Sequence, residues 1–364
     1  VTKAKSEVFF ASAVPEKLER DLTLPVRFMR LLDHLPILEK VHNKTVAIKM
    51  HVGVGMGYST IHPLFVKLLV DHVKKGKPKD VFVTDADISG AAIRGYTRET
   101  VGAEIVSTLG SDGKAVVKKQ TGWKHVPEVL LSKSVLDADV LINFSHVKGH
   151  GDCGFGGACK NLAMGCVPNK SRASMHALEG NLKWEKGKCT HCDKCIKECQ
   201  MKANKFNNAG EYEIFWHNCK MCMHCMLACP SGAITIENRK FDLFQEGLAR
   251  VAKLVLDSFD SDKTFHINVL TNVTIFCDCW GFTTPSLIPD IGIFGSTDIV
   301  AVDHASLMAI KVENLIPGSL TRPYELSGKG HLFEQIHHRD PFVQVKALGG
   351  LGAGSLDYVI KAVK

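Results

Sequence analysis

Cys189, Cys192, Cys195 and Cys199 follow one another at the spacing C-x2-C-x2-C-x3-C, and Cys219, Cys222, Cys225 and Cys229 repeat it thirty residues on. Three thiolates at i, i+3 and i+6 on a tight loop reach three iron corners of one cubane. The fourth cysteine of each run then reaches across to close the neighbouring site. The spacing predicts two [4Fe–4S] clusters, one on Cys189, Cys192, Cys195 and Cys229 and the other on Cys219, Cys222, Cys225 and Cys199. Zinc wants four ligands around one ion, usually from two separated C-x2-C pairs, and would leave cysteines over in a triple run. Cys229 precedes Pro230, as this pattern expects, whereas Cys199 precedes Gln200. Without the ring that stiffens the turn, Cys199 is the more mobile of the two, or its cluster the more open to solvent.

A second concentration of reactive side chains runs from His146 to Cys166. His146, Lys148, Lys160 and Cys166 are its candidate reacting groups, and Gly154, Gly156, Gly157 and Asn161 its candidate cofactor cradle. Glycines let the main chain approach a ligand closely, and the lysines suit a phosphate or carboxylate. The segment matches neither the Walker nor the dinucleotide fingerprint, and a Gly-rich turn without a ligand is the plainer alternative. Lys49 and His51 end an earlier β-rich run, followed by Gly53, Gly55 and Gly57 in the manner of a phosphate-cradling loop; for His51 a satisfied structural histidine is the alternative. Cys277, Asp278 and Cys279 form a third piece, which with Cys166, Cys153 and Cys159 would make a further metal or redox site. Buried inert thiols are the alternative. A disulfide between cysteines two residues apart is geometrically awkward, so binding is the expectation for that pair. His176 is expected between cofactor and cluster. Helix capping and solvation account for Asp290, Asp298 and Asp303.

These groups need a scaffold, and the flanking sequence supplies one. Thr45 to His51, Pro63 to Lys75 and Asp80 to Asp85 alternate β-rich and amphipathic runs, the rhythm of a mostly parallel sheet. Asp139 to Phe144 and Thr264 to Asn272 read as further strands. Phe241 to Asp257 and Thr297 to Val312 read as helices, the latter with Ser296 as its N-cap. Ligands in such sheets sit at strand ends, where Lys49, His146 and Cys277 fall. The expected class is α/β with an inserted ferredoxin-like (α+β) module: residues 1–180 and 241–364 form the α/β domain, and 181–240, where cysteine replaces hydrophobic periodicity, the insert.

Eleven of the thirteen cysteines lie between Cys153 and Cys229, a crowding that points to metal rather than to a secreted disulfide framework. Metal-binding thiolates imply a reducing compartment, so the expected location is cytoplasmic. The longest apolar runs are too short to span a membrane. A net charge of +7 on 364 residues with 7% aromatics is diffuse and argues against a nucleic-acid partner. Lys183, Lys186, Lys188, Lys194 and Lys197 make a basic rim suited to an acidic redox partner, with a solvated lysine face as the alternative.

Taken together, Ile48 to Gly53, His146 to Cys166, the paired cysteine runs, Thr271 to Trp280 and Pro289 to Asp303 resemble the prokaryotic family catalogued as domain of unknown function 362, in its form with an embedded two-cluster ferredoxin. The resemblance spans nearly the whole chain and implies an iron–sulfur protein typical of anaerobic prokaryotes. It brings no reaction with it. Two readings follow. In the first, an oxidoreductase passes electrons from the clusters to a cofactor, with a flavin (FMN or FAD) as first candidate, or to a small anionic substrate. In the second, an electron carrier or adaptor relays electrons from a ferredoxin-like donor or to an acceptor.

Overall fold

The structure is a computed structural model that describes residues 5–110, 113–199, 202–214, 223–237, 240–321 and 324–364. Its centre is an eight-stranded sheet built from β1 (Ser6–Ser12), β2 (Thr45–Lys49), β3 (Asp80–Asp85), β4 (Glu104–Ser107), β5 (Val140–His146), β6 (Thr264–Leu270), β7 (Gly292–Ser296) and β8 (Tyr358–Ala362). Their spatial order is β8-β1-β7-β6-β5-β2-β3-β4. From β4 through β6 all neighbours are parallel. Only β7 runs the other way, antiparallel to both β6 and β1.

Strands covered on both faces read as continuous apolar runs, and β2 shows why: Val46, Ala47 and Ile48 are all fully buried. Val46 and Ile48 face a core shared with α1 (Leu24–His34) and α2 (Pro63–Lys75). Ala47 faces the opposite core, under α3 (Ala158–Gly165), α5 (Phe241–Leu256) and α6 (Ile299–Ala309); α4 (Asn169–His176) follows α3. Helix α2 forms where Pro63 presets its first turn and the His62 side chain accepts from Leu64 N at 3.1 Å. Phe65, Val66, Leu69, Val70 and Val73 then bury one stripe.

Helix α6 corrects one expectation. It starts at Ile299 and is capped by Asp298, whose Oδ1 accepts from Val300 N and Ala301 N at 2.9 and 3.0 Å. Ser296 instead ends β7 and donates to Glu7 O. A carboxylate two residues nearer the first helical N–H groups wins over the hydroxyl.

Between α4 and α5 the chain leaves the main sheet. Asn181–Trp184 pairs antiparallel with Ile234–Glu237, and Asn204–Phe206 with Tyr212–Ile214. Two single-turn helices, Lys194–Lys197 and His224–Leu227, each follow a residue in the left-handed region, Asp193 (φ 57°) and Met223 (φ 62°). Cys195 and Cys225 are buried at equivalent places in these turns. The thirty-residue repeat of the sequence is thus also a repeat of backbone geometry. Among the described residues, no helix is long and apolar enough to cross a membrane.

Candidate functional site

The chain runs from β2 outward to β3 and β4 and then returns on the other side of β2 as β5. Crevices open where strand order reverses in this way. At the C-terminal ends of β2, β3 and β5 lies a cleft of about 1090 Å³, counting its mouth.

Two charge networks build one wall. Lys49, on the last residue of β2, is fully buried and donates to Met50 O (3.0 Å), Asp85 Oδ1 (3.0 Å) and Asn161 Oδ1 (2.8 Å). His51 Nδ1 meets the other oxygen of Asp85 at 2.7 Å. Burial alone would raise the Asp85 carboxyl, but the Lys49 ammonium and the His51 ring outweigh it and hold the group far below the usual carboxylate range. The second network repeats the first with other strands. Lys148 donates to Asp278 Oδ1 (2.6 Å), Ser59 O (2.8 Å) and Ser59 Oγ (2.6 Å), and His146 Nδ1 meets Asp278 Oδ2 at 2.8 Å. Asp278 is held low for the same reason, its burial overcome by Lys148 and His146. Burial lowers Lys148 and His146, with Asp278 opposing it. Both ring nitrogens of His146 are engaged, since Nε2 meets Thr271 O at 2.6 Å.

The floor is helix α3. Its N-terminus has only Gly157 as cap residue, so the cap comes from across the fold: Asp303 on α6 accepts from Ala158 N at 2.7 Å, Cys159 N at 2.8 Å and Asn268 Nδ2 at 2.7 Å. A Cβ on Gly157 would stand 2.5 Å from Asp303 Oδ1, so the glycine is what admits the cap. Asn161, one turn on, donates to Lys49 O and Asn143 Oδ1 at 2.9 and 2.7 Å, tying the helix to the ends of β2 and β5.

The far end of the cleft is different. Asp152, His176 and Glu179 are buried together, with His176 Nδ1 2.7 Å from Glu179 Oε1. Asp152 Oδ1 and Glu179 Oε2 have no hydrogen-bond partner. Burial raises Asp152 and Glu179 well above the usual carboxylate range and lowers His176 to about 4. Beside them, His150 and Lys160 face Cys277 and Cys279; Lys160 Nζ is 3.7 and 3.6 Å from the two sulfurs.

Those two cysteines form a disulfide, with Cα atoms 5.4 Å apart. The sequence spacing argued against this pairing; the 3-10 turn Asp278–Trp280 brings Cys279 back over Cys277 and removes the obstacle.

Of the expected site residues, Lys49, His51, His146, Gly156, Gly157, Lys160, Asn161, Cys277, Asp278 and Cys279 line this cleft, and Lys148 stands behind it through Asp278. Cys166 does not join them. It is fully buried in the apolar core with Cys153 and Cys159, and burial pushes its thiol up to about 12. Nor does Gly154 line the cleft: its φ of +75° turns the chain where a Cβ would meet Pro341 Cα at 2.8 Å, a packing need. The Gly53 to Gly57 loop is braced from within by Arg94, which donates to Val54 O, Gly55 O and Gly57 O at 2.7 to 2.8 Å. Sequence reasoning missed Asp85, Asp152, Glu179 and Arg172. Asp85 was signalled by its place at a strand end beside Lys49, and Glu179 by standing three residues after His176.

In the cysteine-rich segment, Cys189, Cys192, Cys195 and Cys229 surround one hollow of about 300 Å³, walled by Trp184, Phe206 and Ile234. A donor set of four thiols from remote parts of the chain suits the first predicted cluster. Of the second set, Cys225 is buried and Cys199 half-buried, and Cys219 and Cys222 are outside the described residues. His224, beside Cys225, packs on Trp280 with ring centroids 4.3 Å apart, and Trp280 lines the cleft.

Comparison with known proteins gives three findings. The iron-sulfur subunit 1 of an Hdr-like menaquinol oxidoreductase from Archaeoglobus fulgidus is 43% identical over 47 residues, 12% of this chain; the match spans 18% of that relative's length. The lactate racemase apoprotein from Thermoanaerobacterium thermosaccharolyticum superposes with a TM-score of 0.37 at 12% identity, over 68% of this chain and 48% of that one. The model of the family described as "Domain of unknown function (DUF362)" matches residues 46–308, from the start of β2 to the end of α6 and so across both lysine networks, the cysteine runs and the Asp303 cap. The chain therefore belongs to the DUF362 family.

Proposed function

We propose that this protein is an iron–sulfur oxidoreductase in which residues 181–240 form a two-cluster ferredoxin-like module that feeds a cofactor or small anionic substrate in the cleft. Such clusters supply electrons one at a time, and a flavin (FMN or FAD) is the cofactor class that converts them to two-electron chemistry. The observation that carries the reading is the packing of His224, in the second cysteine run, on Trp280 of the cleft wall. The four-thiol hollow supports the cluster assignment, and the short similarity to an iron-sulfur subunit agrees with it.

The chain's own groups divide the work. Lys148 and His146 hold Asp278, and through it the turn that carries Cys277 and Cys279; they are positioning residues. Lys49 and Asn161 fix α3 to the strand ends. Lys160 and Arg172 put positive charge on the cleft for an anionic ligand. His51, held by Asp85 at Nδ1, keeps Nε2 without a partner, the arrangement of a ring that exchanges a proton with a bound ligand.

Air-free purification tests this directly. The expected protein is brown, holds about eight iron and as many sulfide per chain, and gives a low-temperature magnetic resonance signal on reduction. Flavin bands beside the broad cluster absorption identify the cofactor. A colourless, silent sample after reconstitution sinks the proposal, and clusters without any second chromophore or substrate-linked reoxidation favour the carrier reading.

A further inference from the structure

The two lysine networks satisfy their own carboxylates, but Asp152 and Glu179 are not satisfied by the chain. Asp152 is 1% exposed and Glu179 0%, and one oxygen of each lacks any hydrogen-bond partner. Unpaired buried carboxylate oxygens are rare, and each calls for an explanation such as a missing ion. The third member, His176, has its ring stacked on Phe244 with centroids 4.8 Å apart. The field of Lys160 and Arg339 reaches the acids, yet leaves Asp152 Oδ1 and Glu179 Oε2 unbonded.

We infer that Asp152, His176 and Glu179 bind a divalent first-row transition ion at the inner end of the cleft. One donor atom from each lies within 4.8 Å of the other two. Bonds of about 2.0–2.2 Å put neighbouring ligands roughly 3.5 Å apart, so small side-chain shifts close the site. His176 and Glu179, three residues apart across the end of α4, present their donors to the same side, and Asp152 enters from the turn after Lys148–His150. Two carboxylates and an imidazole suit Mn²⁺, Fe²⁺ or Zn²⁺ rather than a soft ion. Three protein ligands leave positions open, and because Asp152 and His176 line the cleft, those positions face bound ligand. A carboxylate or phosphate group entering past Lys160 completes the coordination. The site stands on the geometry of these three residues and does not depend on the clusters.

The test uses the full chain, purified without air and dialysed against a chelator. Mn²⁺ is titrated while its free six-line signal is followed at room temperature, where iron–sulfur centres are not seen, and Zn²⁺ is added as competitor. One ion per chain is expected, with nitrogen hyperfine coupling from His176 in the frozen sample. Asp152→Asn and Glu179→Gln should each weaken binding by at least about 100-fold, since even losing an outer partner of a metal ligand costs 10–100-fold. Visible absorption should be unchanged in both variants. If Glu179→Gln fails to fold, Asp152→Asn, on a turn, carries the test alone. No uptake at about 0.1 mM free Mn²⁺ or Zn²⁺, or equal uptake by wild type and Asp152→Asn, overturns the assignment.

Discussion

On one wall of the cleft, Asp85 and Asp278 each sit between a lysine and a histidine; at the inner end, the Glu179 carboxylate meets His176, Asp152 has His150 Nδ1 no nearer than 3.8 Å, and each acid keeps an oxygen without a partner. All four acids are buried. The two pairs of acids therefore meet the same desolvation cost in opposite ways. Where lysine and histidine both converge, the carboxylate stays ionised and the chain alone completes the arrangement. Where they do not, burial pushes the acids toward the neutral form, and completion is left to something outside the polypeptide. Lys49 and Lys148 read from this contrast as parts of the scaffold, and Asp152 and Glu179 as parts of a receptor.

The comparison breaks most visibly if a scaffold lysine is removed. Lys148→Met keeps the stem's volume but leaves Asp278 buried with only His146 to offset it. Breaking a buried pair from one side costs about 3–5 kcal/mol, so air-free denaturant unfolding should show a loss of that order. A loss below about 1 kcal/mol would mean that the pair is not integral to the folded state. A smaller effect should appear in acid. The folded Asp85 value lies far below the unfolded value of about 3.9, so between those values the unfolded chain takes up a proton that the folded chain refuses. The stabilisation is fully present above about pH 5 and is lost as pH falls. Asp85→Asn removes this proton difference. Its stability should fall less steeply than wild type between roughly pH 5 and 2, by up to about 1.4 kcal/mol per pH unit. Parallel slopes would show that Lys49 and His51 do not hold Asp85 ionised.

Much of the scaffold was legible because it follows from local pattern. The apolar run at Val46 to Ile48 and the stripe on Pro63–Lys75 need no tertiary information, and polar residues closing such runs, as Lys49, His51 and His146 do, mark strand ends. Contacts far apart in the chain were the least legible, although the Cys277–Cys279 bond and the Asp298 cap show that local turns also hide from pattern. Asp303 looked like a residue of its own helix but caps Ala158 and Cys159, 145 and 144 positions away. Cys166 stands among reactive residues in the sequence, yet its side chain lies in the apolar core. Asp152 stands among glycines with no periodic signal, whereas Glu179, three residues after His176, lies within local reach of it. The turn after His150 is what brings Asp152 to the local pair His176 and Glu179.

The smallest expected effect is the most informative about the inner end of the cleft. Asp152→Asn preserves shape and removes the capacity for charge from a buried group whose Oδ1 makes no hydrogen bond. If Asp152 were structural in the manner of Asp278, this change would be expensive. If it waits for an ion, the metal-free protein should tolerate the amide with a change within about 1 kcal/mol of zero. Unfolding of the metal-free Asp152→Asn and Lys148→Met proteins under one condition therefore gives the contrast as a ratio of losses. A loss for Asp152→Asn as large as that for Lys148→Met would place both acids in the same class, and the distinction between scaffold and receptor would not survive it.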